Sequence, residues 1–157
     1  MMIKKFFSQI FYKFLSLLNT REIIREDGTK YLTRYYIFRK PVKWMPSIYI
    51  HHFHSSDSDL ELHNHEWKIS ASLILYGSYA EERRGSDDKI KIKIVSPGSL
   101  NIIKGSTFHR VDLLTPEVWT LFISGHKGKS SWGFWDRHTG KFTQWEKFIK
   151  EKYNNPA

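Results

Sequence analysis

Apolar residues recur along this chain with two different periods, and the switch between them divides it. From Met2 to Leu18, the residues Ile3, Phe6, Phe7, Ile10, Phe11, Phe14, Leu17 and Leu18 fall at helical spacing, with Lys4, Lys5, Lys13 and Ser16 largely elsewhere. Such a stripe predicts an N-terminal amphipathic helix over residues 1–20. From Tyr31 onward the period shortens toward two. Short β-like runs appear at Tyr31–Phe38, Ser47–His54, Ile69–Leu75, Ser78–Arg83, Ile90–Val95, Ser99–Ile103, Arg110–Leu114 and Val118–Ser124. Turn-forming segments separate them: Lys40-Pro41, Ser55 to Asp59, Gly85 to Asp88, Pro97-Gly98, Lys104 to Ser106 and Thr115-Pro116. Trp132 to Trp135 with Arg137 to Lys141 reads as a last hairpin. A short C-terminal helix from about Thr143 to Lys152, with Trp145, Phe148 and Ile149 turned inward, then closes the chain. Many short strands without intervening helices predict an all-β antiparallel sandwich or barrel. The barrel occupies about residues 31–135 of a single domain, 1–157.

Histidines supply the chemistry on this pattern. His63 and His65 are one residue apart, and side chains on a strand alternate, so both imidazoles face one side and can share an ion. His109, forty-four residues after His65, can close the group from a neighbouring strand. On the preceding strand, alternation separates His52 and His54 from His51, which shares its face with Tyr49 and Phe53. Only one set can enter a barrel, and the aromatic company nominates His51. After Gly77, the residues Tyr79, Glu81 and Arg83 alternate on one face. Glu81 is a candidate fourth ligand, a general base, or the ion-pair partner of Arg83 or Arg110, with the ion pair preferred.

These residues resemble the cupin superfamily. Its first motif carries two histidines one residue apart, an acidic ligand five residues after the second, and a glycine seven further on. Here His63, His65 and Gly77 fit, and Pro97-Gly98 opens the segment that reaches His109, the histidine of the second motif. The likeness covers about residues 47–125 and implies a double-stranded β-helix, the cupin or jelly-roll barrel. It implies a divalent metal on His63, His65 and His109, with Fe(II) favoured and zinc, nickel or manganese as alternatives. The acidic position is Ser70, a poor ligand beside a carboxylate, which leaves three histidines with open coordination positions. Such a site is similar to that of the thiol dioxygenases. It argues against 2-oxoglutarate-dependent oxygenases, which usually replace one histidine by a carboxylate. The His63 to Trp67 segment together with Trp132-Gly133-Phe134 also resembles uncharacterised phage and viral cupins.

Composition adjusts this picture only at its edges. The net charge is +9, from 25 Lys and Arg against 16 Asp and Glu, but it is dispersed. Lys89 to Ile94 alternates strictly and predicts a strand with a solvated lysine face, which ranks nucleic acid behind a small-molecule substrate as partner. The absence of cysteine excludes disulfides, thiolate zinc sites and a cysteine nucleophile, and fits a reducing, cytoplasmic setting. The N-terminal apolar run is broken by Ser8-Gln9 and Lys13, has no small-residue cleavage site after it, and is too short to cross a bilayer. A helix packed on the barrel or on a second subunit of a homodimer is preferred to peripheral membrane contact. No phosphate-binding glycine loop, dinucleotide fingerprint or nucleophile elbow is present. The expected function is therefore a metal-dependent oxygenase of dioxygenase type acting on a small polar or anionic molecule, with Arg83 or Arg110 neutralising the substrate. The alternatives are a non-redox metal-dependent isomerase, lyase or hydrolase, and a non-catalytic cupin that holds a sugar, nucleotide or protein partner, the first two on a Trp132 and Trp135 wall.

Overall fold

The structure, a computed structural model, describes residues 2–25, 27–38, 45–128 and 131–154. Two antiparallel sheets of six strands carry the architecture. The first runs, in spatial order, β1 (Asn19–Ile24), β2 (Lys30–Tyr36), β3 (Ser47–Phe53), β10 (Val118–Ser124), β5 (Ile69–Tyr76) and β8 (Leu100–Lys104). The second runs β12 (Phe142–Gln144), β11 (Gly133–Trp135), β4 (Leu62–His63), β9 (His109–Leu113), β6 (Tyr79–Arg84) and β7 (Ile90–Val95). Helices α1 (Met2–Ser16) and α2 (Trp145–Asn154) flank them. The chain passes from the first sheet to the second at Gly77, whose φ is +75°, and a Cβ there would lie 2.2 Å from the Glu117 carbonyl oxygen. Only glycine fits that corner.

Alternation decides what each strand contributes to the interior. Ser70, Ser72 and Ile74 of β5 are buried, as are Val118, Thr120, Phe122 and Ser124 of β10. Ile69, Leu75 and Ile123 on the opposite faces are the more exposed residues. The interior of this sheet is thus more polar than its exterior, the inverse of a simple core. Near the Gly77 corner Ile74, Tyr79, Val95 and Val118 form an apolar plug against Phe53, Val111 and Leu113. Further along β6, Arg83 pairs with His109 on β9, and there the interior becomes histidine-rich.

Helix α1 lies on the outer face of the first sheet, where Leu15, only 2% exposed, packs on Ile50 and Trp119 beside Phe11, Leu18 and Tyr35. Trp119 therefore faces outward beneath the helix, stacked on His52 at 3.8 Å. The predicted turn at Lys40-Pro41 and the side chains of Ile3, Phe6 and Phe7 lie outside the described residues. No helix among the described residues is long and apolar enough to cross a membrane.

Several local expectations change. The helix ends at Ser16 rather than running through residue 20, and Asn19–Ile24 is an added edge strand, β1. The β-branched Thr20, Ile23 and Ile24 suit an extended chain paired with β2. Strand β11 pairs not with Arg137–Lys141 but with Phe142–Gln144. The intervening residues form the turn, because the Asp136 carboxylate accepts the His138 and Thr139 amides and Gly140 takes φ +69°. Accordingly α2 starts later, at Trp145. Strand β7 does present Lys91 and Lys93 to solvent, but as a sheet edge it also exposes Ile92 and Ile94. Trp132 and Trp135 do not form one wall: Trp132 stacks on Trp145 at 5.1 Å, and Trp135 is buried with Arg84 over its ring.

Candidate metal centre

The centre is built where β4 and β9 meet. His63 stands directly opposite His109, and the chain leaves the strand immediately after His63. Asn64 fixes the path beyond it: its side chain turns away from the histidines, donates to Gly105 O at 3.1 Å, and accepts the Gly133 amide at 2.8 Å. Pinned from behind, the segment returns His65 to the same side as His63. One ligand nitrogen from each of His63, His65 and His109 lies within 4.8 Å of the others. The Nε2 atoms of His65 and His109 are 2.8 Å apart, close enough to share a proton or an ion.

Burial favours the neutral form of His63 and His65. Burial pushes His63 down to about 4, an effect only partly offset by Asp57. Burial also holds His65 well below its ordinary value, and a proton on neighbouring His109 or His63 would disfavour one on His65 further. Glu81, fully buried, accepts a hydrogen bond from His109 Nδ1 at 2.8 Å. A carboxylate offers only acceptors, so the proton of His109 sits on Nδ1 and its Nε2 lone pair points into the centre. Burial alone would raise the Glu81 carboxyl, but His109 and Arg83 outweigh it and hold it below the usual range. Asn101 donates to its second oxygen at 3.0 Å and to the Tyr79 hydroxyl at 3.0 Å.

Glu81 lies outside the histidine ligand group and forms the preferred ion pair with Arg83, although buried rather than at the rim. It is the buried partner that orients His109. Ser70, where a cupin carboxylate ligand would stand, turns its hydroxyl toward Ile103 O. The donor set fits a divalent ion: nitrogens about 2.1 Å from a common centre at tetrahedral or facial octahedral angles would be roughly 3.0–3.4 Å apart. Separations of 2.8 Å and up to 4.8 Å require only small imidazole movements.

A cavity of about 290 Å³ opens beside the triad, lined by His51, Arg34, Asp57, Trp67 and Phe122 among others. His51 lies on its wall, stacked between Tyr49 and Phe122, and its Nε2 accepts from Arg34 Nε at 3.0 Å. Burial and the Arg34 charge keep it neutral. His52 and His54 face away, the former bonded to Glu117 at 2.5 Å. Neither nominated arginine reaches the cavity. Arg110 directly follows His109, so alternation turns it outward, where it meets Asp112 and the Asp59 carbonyl. Arg83 shares the inward face with Glu81 but is engaged by it, by Asn101 and by Ile102 O.

Two cavity residues were hidden in the sequence. Arg34 sits among tyrosines on β2, directly opposite His51, and only that register reveals it. Asp57 lies in the Ser55 to Asp59 stretch that reads as a turn. It accepts from Tyr31 Oη and from the Val111 amide, and its Oδ2 stands 3.9 Å from His63 Nδ1.

Comparison with solved structures places the fold. The Fe(II) form of HppE with the alternative substrate (S)-1-HPP superimposes with TM-score 0.56 at 10% identity, over 71% of this chain and 57% of that one. Oxalate decarboxylase from Bacillus subtilis at pH 4.6 gives TM-score 0.57 at 14% identity, over 88% of this chain and 32% of that one. The fold is that of the cupins. The hydroxypropylphosphonic acid epoxidase from S. wedmorenis aligns in the same way, with TM-score 0.52 and 11% identity, covering 68% of this chain and 56% of the epoxidase. The chain thus spans little more than half the length of the epoxidase, and at such identities the cupin likeness is one of architecture alone. No family model matches the sequence. No curated protein matches it.

Proposed function

We propose that this cupin is a metal-dependent enzyme whose His63, His65 and His109 hold a divalent ion, with Fe(II) favoured, and which oxidises a small anionic molecule with dioxygen. The observation that carries the reading is the division of labour around His109: three imidazoles converge, while the fully buried carboxylate beside them is turned to the far nitrogen of His109. Such an ion supplies a Lewis-acidic, redox-active centre with positions left for substrate and dioxygen. The chain does the rest. Glu81 keeps the His109 proton on Nδ1, Asn64 fixes the His63 to His65 segment, and the aromatic cavity walls exclude water from the reacting molecule.

Elemental analysis followed by anaerobic iron loading tests the reading, with dioxygen uptake then monitored across a panel of small carboxylates and phosphonates. One equivalent of iron, lost in His63→Ala and His109→Ala, is expected together with substrate-dependent uptake. Absence of iron binding, or of uptake across the panel, overturns it. A second reading rests on Asp57, whose carboxylate reaches the cavity beside His63. As a general base it would serve non-redox isomerisation or lyase chemistry at the same ion. Turnover by zinc-loaded protein without dioxygen distinguishes this case.

A further inference from the structure

The cavity beside the triad contains a cation, Arg34, that has no ion-pair partner among the described residues. Arg34 enters it from β2, and its guanidinium is held from two sides: Nε donates to His51 Nε2 at 3.0 Å, and Cζ lies 4.8 Å from the centre of the Tyr49 ring. No described residue accepts from its Nη1 or Nη2. Directly opposite Arg34 in register, β1 carries Arg21, which is exposed to solvent and does not line the cavity. Asp57, on the wall of the same cavity, makes its hydrogen bonds to Tyr31 Oη and the Val111 amide and does not contact Arg34. His51 cannot compensate either, since it already accepts from Arg34 and is therefore neutral. The remaining wall is apolar and aromatic, with Leu32, Phe53, Trp67, Ile103 and Phe122.

We propose that Arg34, oriented by His51 and Tyr49, is the anchor for a small organic anion, a carboxylate or phosphonate, whose apolar body fills the aromatic cavity toward the histidine triad. With Nε engaged, the two Nη groups form the free edge of the fork, which suits end-on bidentate contact with two oxygens of one head group. A rigid donor pair in a mostly apolar pocket loses little entropy on binding and gains strength from the low local dielectric. The volume of about 290 Å³ limits the ligand to a compact molecule, at the lower end of small-molecule sites. The assignment rests on the reading of this cavity as the substrate site. It does not depend on which reaction the ion supports.

The test uses chelator-treated and zinc-loaded full-length protein, titrated calorimetrically with benzoate, its neutral isostere benzamide, and acetate. Metal-free protein is expected to bind benzoate about tenfold more tightly than benzamide, and about tenfold more tightly than acetate. Arg34→Gln should bring benzoate down to the benzamide level, and Arg34→Lys should retain part of the difference. Equal affinities of wild-type protein for benzoate and benzamide overturn the assignment, as does no benzoate binding at millimolar concentration. Both results come from the wild type, so they stand even if Arg34→Gln does not fold. Benzoate binding that requires zinc and survives Arg34→Gln would place the anion on the ion and also overturn it. Metal uptake with no benzoate preference defeats the anchor alone, whereas benzoate preference without metal uptake defeats the metal-enzyme reading alone.

Discussion

Replacing Glu81 by Gln tests the logic of the centre most directly. The Glu81 carboxylate receives three donors: His109 Nδ1 at 2.8 Å, Asn101 Nδ2 at 3.0 Å, and the Arg83 guanidinium, whose Nε lies 2.9 Å away. Glutamine presents one acceptor and one donor end. If its carbonyl faces His109, its amide confronts Asn101 and Arg83; reversed, it confronts His109 Nδ1–H and pushes that proton toward the other ring nitrogen. Either orientation leaves a buried donor unsatisfied, at about 1–3 kcal/mol. It also strips Arg83 of its carboxylate. That side chain is 28% exposed, so the loss falls near the low end of the roughly 3–5 kcal/mol expected for breaking a buried pair. These costs overlap, and we expect a total of about 3 kcal/mol by urea denaturation. Zinc affinity, measured by competition with a chelating dye at about pH 7.5, should weaken by about 10- to 100-fold through loss of the His109 orientation. His109→Ala should lose far more. A Glu81→Gln variant that binds zinc within twofold of wild type would refute the orienting role, and one that matches His109→Ala would make Glu81 a ligand in its own right.

Acid should destabilise the metal-free protein in a defined window. His63 titrates near 6.5 when unfolded and at about 4 when folded, so between these values the unfolded chain binds the extra proton and stability falls as pH drops. His63 alone contributes up to about 3 kcal/mol, with His51 and His65 acting in the same direction. Glu81, with its carboxyl lowered, loses its contribution only below the ordinary carboxylate range; urea midpoints that stay flat from about pH 7 to 5 would therefore contradict the histidine assignment. Leu15→Ala, on the helix outside the first sheet, should cost about 3 kcal/mol while leaving zinc affinity unchanged, and a parallel loss of zinc binding would show that α1 supports the centre. Gly77→Ala should cost more than about 2 kcal/mol, because it combines a left-handed φ with a clash on Glu117 O; near-neutral stability would mean that the corner can relax.

Strand periodicity and turn residues made the barrel legible, and the His63-x-His65 spacing with Gly77 and His109 pointed to its centre. The failures have specific causes. Strand β1 comes so soon after an apolar helix that its Ile23 and Ile24 merge with that pattern. The two residues of β4 are too few to show any period, and the convergence of His63 and His65 depends on Asn64, a contact to Gly105 and Gly133 that no local pattern encodes. Arg110 was excluded from the cavity by the same alternation that admits His109. Arg34 and Asp57 belong to the cavity through register and loop return, both non-local properties.

The brevity of β4 carries a mechanical consequence. Its hold on β9 is a single residue pair, His63 with His109, so the two segments are joined there more by their side chains than by a ladder. An ion shared by these imidazoles would act as a cross-link closing the long stretch of chain between them, a restraint worth about 4 kcal/mol of unfolded-state entropy by analogy with a covalent bridge of that span. Cofactor loading would then be a folding event as much as a catalytic one, and amide exchange at Asn64 would slow when the metal enters.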